Sequence, residues 1–471
     1  MAYSRQDILD THKDYSSNVS NWEYYIRSFN GGYDYMIGQY LNRYNLELDN
    51  EFNQRLANTP CDNHCKNIVQ IYSSFLFRTK ASRDFGNMAE EPTLERFLKD
   101  SDLEGNNFNT VMKSAQNYAS IYGHCFMILD KPKIQTETRA EELDQDIRPY
   151  LSIVTPENVL DWNFKRQANG KYVLDYLKIR EEVDKNGGTY IRVWYQDTVD
   201  TLYVEDQKTE PTLIDTADNQ IGKIPAVILY NAKSHKRGIG QSDLVDISDL
   251  QRAIYNEYSE IEQLIRLTNH PSLVKTNGVN ASAGAGAIIE MPDEMEPNLK
   301  PYLLQPSGQN LNAIMDSIAR KVESINRIAH TGAVRNTKTQ ISSGIALQTE
   351  FELLNARLSE KADNLELAEE QIFKIYADYQ NTTFDGEINY PDTFNIRDYA
   401  TDLLFYQQAK AINVPSPSLI KEIDKEIARA VVDDDEKLTE IFDEIDANSE
   451  VGEFTQDEAT QEDQEVEEEE V

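Results

Sequence analysis

The chain has 471 residues, of which 39% are hydrophobic and 10% aromatic, and its formal net charge is -36. This length predicts several structural units, and the apolar fraction is sufficient for packed cores, so a wholly disordered chain is excluded. No run of about 18 apolar residues occurs, which predicts no membrane span, and the three cysteines are too few for a disulfide framework.

The N-terminal half is predicted to contain helices and then strands. Aromatic-rich helical patterns cover residues 5–80 and 94–120, and a hairpin turn is predicted at Asn169-Gly170. Short apolar runs predict strands at residues 121–129, 150–154, 159–162, 172–180, 190–195, 201–205 and 224–230. This order favours an α+β fold that is rich in helix.

Two amphipathic helices follow. Ser242 is predicted to cap the first, with Asp243 in its first turn. Its apolar stripe consists of Leu244, Ile247, Leu250, Ile254, Tyr258 and Ile261. The second helix carries the stripe Leu311, Ile314, Ile318, Val322 and Ile325. A thin hairpin cannot bury both stripes alone, so we expect identical copies packed side by side in a ring; the alternative is a monomeric helical bundle.

The rest of the chain predicts a polar break, a long helix and a charged end. The break covers residues 332–340, and the long helix starts near Ser342. One or two shorter helices occupy residues 398–430. Residues 433–471 contain 19 acidic side chains and one lysine, which predicts a disordered tail. Such a tail is either a solvated end that aids solubility or a contact for a basic partner.

Three stretches together resemble one known family. They are Tyr118–Ile128, Gly238–Asn256 and Ser342–Leu347, the last followed by Leu358 and Lys361. In this order they resemble the portal (head–tail connector) proteins of tailed double-stranded-DNA bacteriophages, over roughly residues 20–430. The resemblance implies a portal fold with an α/β wing (1–240), a first stem helix (241–269), a clip (270–307), a second stem helix (308–330), a channel loop (331–343), a long wing helix with a following strand (344–397), a modest helical crown (398–448) and an acidic tail (449–471).

The resemblance also implies a function and partners. Portal proteins form rings, usually dodecamers, at one capsid vertex, and genomic double-stranded DNA is packaged and ejected through them without sequence readout. The implied partners are further copies of the chain, the terminase large subunit, the major capsid and scaffold proteins, and a head–tail adaptor. We therefore expect a virion protein made in the host cytoplasm, with no membrane contact and no enzymatic activity.

Two groups of residues are candidates for contacts with DNA and adaptor. The channel loop would present small polar and basic side chains that contact phosphates transiently: Arg335, Asn336, Thr337, Lys338, Thr339 and Gln340. The clip would dock the adaptor through Pro271, Val274, Ile288, Ile289 and Met291. A basic channel lining would instead grip DNA by counterion release, and the second stem helix has mixed charge.

Motifs for catalysis, metals and cofactors are weak or missing, so we predict none of the three. Gly222-Lys223 is followed by Ile224 and does not form a Walker A loop. The run from Cys61 to Cys65 has no second ligand pair, so a packed helix end is favoured over zinc. His330 has no Ser or Cys partner by spacing. The alternatives are a capsid-assembly scaffold protein and, less favoured, a metal-dependent nucleic-acid hydrolase.

Overall fold

The computed structural model describes residues 3–132, 134, 138–183, 185, 187–205, 210–269, 272–274, 302–304, 309–335, 344–391, 393–394, 399–412, 416–432, 437–438 and 440–447. The chain forms two compact units, Met1–Phe394 and Asn395–Val471. None of the helices in the described part is long and apolar enough to cross a bilayer.

Most of the described residues are helical. The α-helices are α1 (Arg5–Leu9), α2 (Lys13–Asn30), α3 (Gly32–Ile37), α4 (Asp49–Asn58), α5 (His64–Leu76), α6 (Leu94–Lys99), α7 (Phe108–Tyr122), α8 (Arg139–Asp144), α9 (Ile247–Asn269), α10 (Gln309–Ile328), α11 (Gly332–Arg335), α12 (Gly344–Gln380), α13 (Tyr399–Ala411) and α14 (Pro417–Val431). Short 3₁₀ helices occupy Gly86–Glu90 and Pro156–Asn158.

The strands are antiparallel to their neighbours. They are β1 (Ser82–Asp84), β2 (His124–Asp130), β3 (Tyr150–Val154), β4 (Val159–Arg166), β5 (Tyr172–Val183), β6 (Thr189–Tyr195), β7 (Thr198–Val204), β8 (Thr212–Asp218), β9 (Ala226–Tyr230), β10 (Ser272–Val274), β11 (Tyr302–Leu304) and β12 (Glu387–Asn389). The larger sheets have the orders β4-β5-β6-β7-β8 and β3-β2-β9, and β1 pairs with β12 and β10 with β11.

The five-stranded sheet is a meander, as the spacing of apolar runs and turns predicts. Gly170 takes a positive φ of 85° in the turn between β4 and β5, which favours glycine. Strand β8 is missing from the sequence prediction, because its residues are mostly exposed at the sheet edge and lack the buried alternation that marks a strand.

The core of the larger unit lies around the three-stranded sheet. Strand β2 is buried along nearly its whole length, which explains its continuous apolar run. Helices α7 and α12 pack against it. Aromatic rings fill the space beside α12, where Phe373 lies 5.1 Å from Phe108 and Tyr376 lies 4.7 Å from Phe97, between ring centroids. These contacts fix the long helix on the wing.

The predicted start of the first stem helix is wrong. Helix α9 begins at Ile247, and residues 243–246 form a turn before it. Ser242 accepts a hydrogen bond from the Leu244 amide and donates one to the Ile121 carbonyl, so it stabilises that turn instead of capping the helix. Asp243 lies in the buried interior, where Arg357 and Lys361 donate to its carboxylate, and not in the first turn of the helix.

The clip is described only at its base. Strands β10 and β11 pair in antiparallel fashion, with Val274 opposite Tyr302. The other predicted docking residues lie outside the described residues: Pro271, Ile288, Ile289 and Met291.

The second unit contains α13 and α14, which pack against each other. Lys410 forms an ion pair with Asp424 between the two helices. Lys425 Nζ lies 2.6 Å from Asp446 Oδ1, which ties the residues 440–447 to α14. The predicted acidic tail, residues 449–471, lies outside the described residues.

Candidate stem, channel face and wing junction

The two predicted stem helices are α9 and α10, which pack side by side. Ile254 and Ile261 of α9 and Ile318 and Ile325 of α10 are buried. Glu257 Oε1 accepts hydrogen bonds from Lys321 Nζ at 2.5 Å and from Ser317 Oγ at 2.7 Å. Apolar packing and this one polar tie hold the two helices in register.

The two stripes contain buried and half-buried residues. Six of the eleven stripe residues are buried within the single chain, where they pack the predicted stem: Leu244, Ile247, Ile254, Ile261, Ile318 and Ile325. The other five are half-buried: Leu250, Tyr258, Leu311, Ile314 and Val322. Contact with a neighbouring copy stays a prediction for these five.

The exposed face of α10 carries balanced charge. Asp316, Arg320, Glu323 and Arg327 are all exposed, which gives two basic and two acidic side chains within twelve residues. Such a face contributes no net attraction for phosphate groups. That this face lines a channel stays a prediction.

Of the channel-loop residues, the structure describes Arg335. It ends α11, and its guanidinium Nη2 donates to Nδ1 of His64, at the start of α5, over 2.7 Å. His64 Nε2 in turn lies 3.2 Å from Asp62 Oδ2. Arg335 is therefore held by its own subunit. The other predicted members lie outside the described residues: Asn336, Thr337, Lys338, Thr339 and Gln340.

A buried charged cluster joins the wing to the root of the stem. Asp243 Oδ2 accepts from Lys361 Nζ at 2.7 Å, and Asp243 Oδ1 accepts from Arg357 Nη2 at 2.6 Å. Only 1% of the Asp243 side chain and 2% of the Lys361 side chain are exposed. Asn231 donates to Asp243 and accepts from Lys361. We call Asp243, Asn231, Arg357, Lys361 and Ser120 the wing junction.

The electrostatics of the wing junction favour a charged Asp243. Burial alone would raise the pKa of this carboxyl group, but the cations of Lys361 and Arg357 outweigh burial and hold the pKa below its usual value. Ser120 completes the cluster, because its hydroxyl lies 3.3 Å from Asn231 Oδ1 and 3.4 Å from Lys361 Nζ. The partners come from α7, from α12 and from the segment between β9 and α9, so the cluster fixes the relative positions of these parts.

Two glycines allow the backbones to meet beside this cluster. Gly123 ends α7 with a left-handed φ of 95°, a conformation that glycine adopts without strain. A Cβ atom added to Gly240 would lie 1.9 Å from the Gly123 carbonyl oxygen, and one added to Gly123 would lie 2.6 Å from the Gly240 oxygen. No side chain fits at either position while the chains remain this close.

Residues from the first two stretches that carry the family resemblance meet here, together with Lys361, which follows the third. Ser120 and Gly123 come from the first stretch, and Gly240 and Asp243 come from the second. The sequence analysis missed Asn231 and Arg357. Arg357 lies four residues before Lys361, one helical turn away, and that spacing on one face was the signal available.

The sites weighed for catalysis or metal binding have structural contacts. Cys65 is buried and Cys61 is half-buried, while His64 contacts Arg335 and Asp62. Burial raises the pKa of the Cys61 thiol to about 11, which opposes the thiolate form that zinc binds. Within the described ranges, no group of three His, Cys, Asp or Glu side chains is placed to hold a metal ion.

Comparisons with known proteins identify a family for this chain. The family model described as "Phage portal protein, SPP1 Gp6-like" matches residues 8–451. No curated protein sequence matches the chain. Among solved structures, the chain is similar to one from "Virion of native gene transfer agent (GTA) particle", at 11% identity and a TM-score of 0.44, covering 76% of this chain and 89% of that one. It is also similar to one from "Neck of empty GTA particle computed with C6 symmetry", at 10% identity and a TM-score of 0.43, covering 79% and 88%.

The family match extends over nearly the whole sequence, from the N-terminal helices into the second unit. The family is structural and not enzymatic. This chain belongs to the SPP1 Gp6-like phage portal proteins, and it is a virion component of the bacteriophage capsid vertex, where head and tail connect.

Proposed function

We propose that copies of this chain close into a ring, usually of twelve, through which double-stranded DNA is packaged into the capsid and later ejected. The observation that carries the proposal is the stem: a hairpin of α9 and α10 whose exposed α10 face has balanced charge and leads directly into α11 and the channel loop. A conduit needs a surface that DNA can slide along.

The balanced charge of the exposed α10 face favours the passage of DNA over tight binding of DNA. Duplex DNA carries one negative charge per about 1.7 Å of axis, so a row of cations would hold it tightly and a row of anions would repel it. Arg320 and Arg327 alternate with Asp316 and Glu323 along the exposed face. Side chains of this pattern contact phosphates only transiently.

We assign a different proposed partner to each predicted part of the chain. The clip, whose base is the β10–β11 pair, would dock the terminase large subunit during packaging and the head–tail adaptor afterwards. The wing would contact the major capsid and scaffold proteins. The large acidic excess of the C-terminal 39 residues would repel DNA from the crown.

Electron microscopy of the purified protein tests the ring directly. We expect negatively stained particles with rotational symmetry and a central hole at micromolar concentration. A homogeneous monomer at high concentration, measured by sedimentation velocity, would contradict the proposal.

A packaging assay tests the channel loop. The double variant Arg335→Glu/Lys338→Glu should assemble into rings but package less DNA, because acidic side chains would face phosphates. Arg335 also contacts His64, so the single variant Lys338→Glu separates charge from folding. Lys165→Glu/Lys171→Glu, an equal charge change at exposed wing positions, is the matched control. Normal packaging by Lys338→Glu would argue against a DNA-facing loop.

A further inference from the structure

The short helix α11, which follows the second predicted stem helix, is attached to α5 at two points. Tyr72 of α5 donates a hydrogen bond to the carbonyl of Ala329, three residues before α11 begins, and both residues are buried. Arg335, the last residue of α11, donates to His64, the first residue of α5. A segment that is held at two points has a fixed direction, whereas a segment held at one point can turn about it.

The two attachment points are well separated on α5. His64 and Tyr72 are eight residues apart, which corresponds to about 12 Å along the helix axis. The contact of Tyr72 with Ala329 fixes the junction between α10 and α11. The contact of Arg335 with His64 is therefore the one that sets the direction of α11 from that junction.

Asp62 prepares His64 for this contact. His64 is 5% exposed, and its Nε2 lies 3.2 Å from Asp62 Oδ2. A neutral imidazole has one N–H group and one acceptor nitrogen, so a ring whose proton faces the carboxylate presents Nδ1 as the acceptor. The hydrogen bond with His64 also lowers the pKa of the Asp62 carboxyl group, which favours its charged form. Asp62 thus determines which ring nitrogen faces Arg335.

The guanidinium of Arg335 is occupied within its own subunit. Its Nη2 lies 2.7 Å from His64 Nδ1, and its Nη1 is buried without a hydrogen-bond partner among the described residues. Burial lowers the pKa of Arg335, and the Asp62 carboxylate opposes this effect. A guanidinium held in this way reaches phosphate groups only if its contact with His64 breaks. We call Asp62, His64 and Arg335 the α11 anchor.

We propose that Arg335 acts as an anchor and that Asp62 and His64 are positioning residues, which together fix the end of α11 where the predicted channel loop begins. The inference rests on the proposed function, because it assigns a role to the residues that hold this loop. It differs from the sequence-based prediction in one respect. Of the two cations expected to contact DNA, only Lys338 would do so, and Arg335 would hold the loop in place.

The first experiment measures hydrogen exchange at the amides of Val334 and Arg335, which bond to the Thr331 carbonyl. His64→Leu removes the acceptor and should raise the exchange rate about tenfold, as expected when one hydrogen bond to a charged group is lost. His64→Asn places an amide oxygen near the position of Nδ1 and should restore the rate to within about twofold of the unaltered chain. His235→Leu, at an exposed position, is the matched control and should have no effect.

A second variant keeps this test decisive if His64→Leu does not fold. Arg335→Ala, at the half-buried end of α11, should raise the exchange rate at Val334 by about the same factor of ten. Thermal unfolding followed by circular dichroism identifies the variants that fold. Unchanged exchange in Arg335→Ala, or equal exchange in His64→Leu and His64→Asn, would overturn the anchor.

A packaging assay connects the α11 anchor with the channel loop. His64→Leu should package about threefold less DNA although His64 is buried, and it should cause no further loss when added to Arg335→Ala, because residues that act through one contact are not additive. Normal packaging by His64→Leu together with defective packaging by Lys338→Glu would overturn the positioning role. Normal packaging by both variants would instead refute the DNA-facing loop on which the inference rests.

Discussion

The two halves of α9 carry the same apolar period in different surroundings. In the first half, Ile247 and Ile254 are buried beneath elements of their own subunit, whereas Ile265 and Leu267 in the second half are 41% and 46% exposed. The comparison teaches that a stripe predicts an amphipathic helix and leaves open which molecule covers it. The first half of α9 packs against the larger unit's core, whereas the last turns, after the buried Ile261, expose apolar side chains to solvent.

Acidic side chains at the two ends of α9 also differ in burial. Asp243, just before α9, is enclosed by two cations and an amide. Glu262, in the second half, is exposed to solvent. A buried charge is strongly dependent on its partners, while an exposed one is screened by water.

The largest loss in the free energy of unfolding is expected from Asp243→Ala. The change leaves Lys361 buried without an anion, and removal of one partner of a buried pair costs about 3–5 kcal/mol. Urea-induced unfolding measures the loss. Glu262→Ala, at the exposed end of the same helix, should change the free energy of unfolding by less than about 0.5 kcal/mol. Equal effects of the two variants would break the distinction between the halves.

We expect His124 to have an intermediate effect on the free energy of unfolding. This residue lies beside the wing junction. Its Nδ1 accepts a hydrogen bond from the Gly240 amide, and burial lowers the pKa of His124 from 6.5 to about 3. In the unfolded chain the imidazole binds a proton below pH 6.5, whereas in the folded chain it does not until about pH 3. Stability therefore falls as pH drops through this window, by up to about 1.4 kcal/mol per pH unit.

The measurement compares two histidine variants. His124→Gln should remove the extra pH dependence of stability. The difference in free energy of unfolding between this variant and the unaltered chain should therefore change by about 2 kcal/mol between pH 6.5 and pH 5. His235→Gln, at an exposed position, should leave the dependence intact. A constant difference across this range for His124→Gln would show that His124 takes up its proton in the folded state.

The smallest effect on the free energy of unfolding is expected from the salt bridge between α9 and α10. Glu257 and Lys321 are 23% and 26% exposed, so their attraction is partly screened. A double-mutant cycle with Glu257→Ala and Lys321→Ala should give a coupling of about 0.5–1 kcal/mol that decreases in salt. A coupling of zero would mean that apolar packing alone aligns the hairpin.

The sequence predicts those elements whose burial pattern is strong. The apolar run at residues 121–129 predicts a strand, and β2 occupies His124–Asp130. The long helix expected from about Ser343 is α12, Gly344–Gln380. Strand β8 escapes prediction because pairing with β7 determines it, while its side chains are mostly exposed. Pairing partners of an edge strand leave little trace in local hydropathy.

The wing junction is only partly predictable. The family resemblance singles out Asp243 and Lys361, but they are 118 residues apart and no periodicity pairs them. The sequence analysis interprets Asp243 as an exposed first-turn carboxylate, since that position suits a helix N-terminus. Its burial depends on the close approach of Gly123 and Gly240, which is a tertiary contact.

The hydrogen bond from Arg357 to Asp243 holds α12 at one point, so the part of the helix before Arg357 can act as a lever arm. Gly344 precedes Arg357 by thirteen residues, or about 20 Å of helix, and the predicted channel loop joins that end of the helix. With the wing junction as fulcrum, a tilt of about 5° would displace the end of the loop by about 1.7 Å. Slight repacking at the wing junction would thereby be magnified at the start of α12, where the predicted channel loop joins.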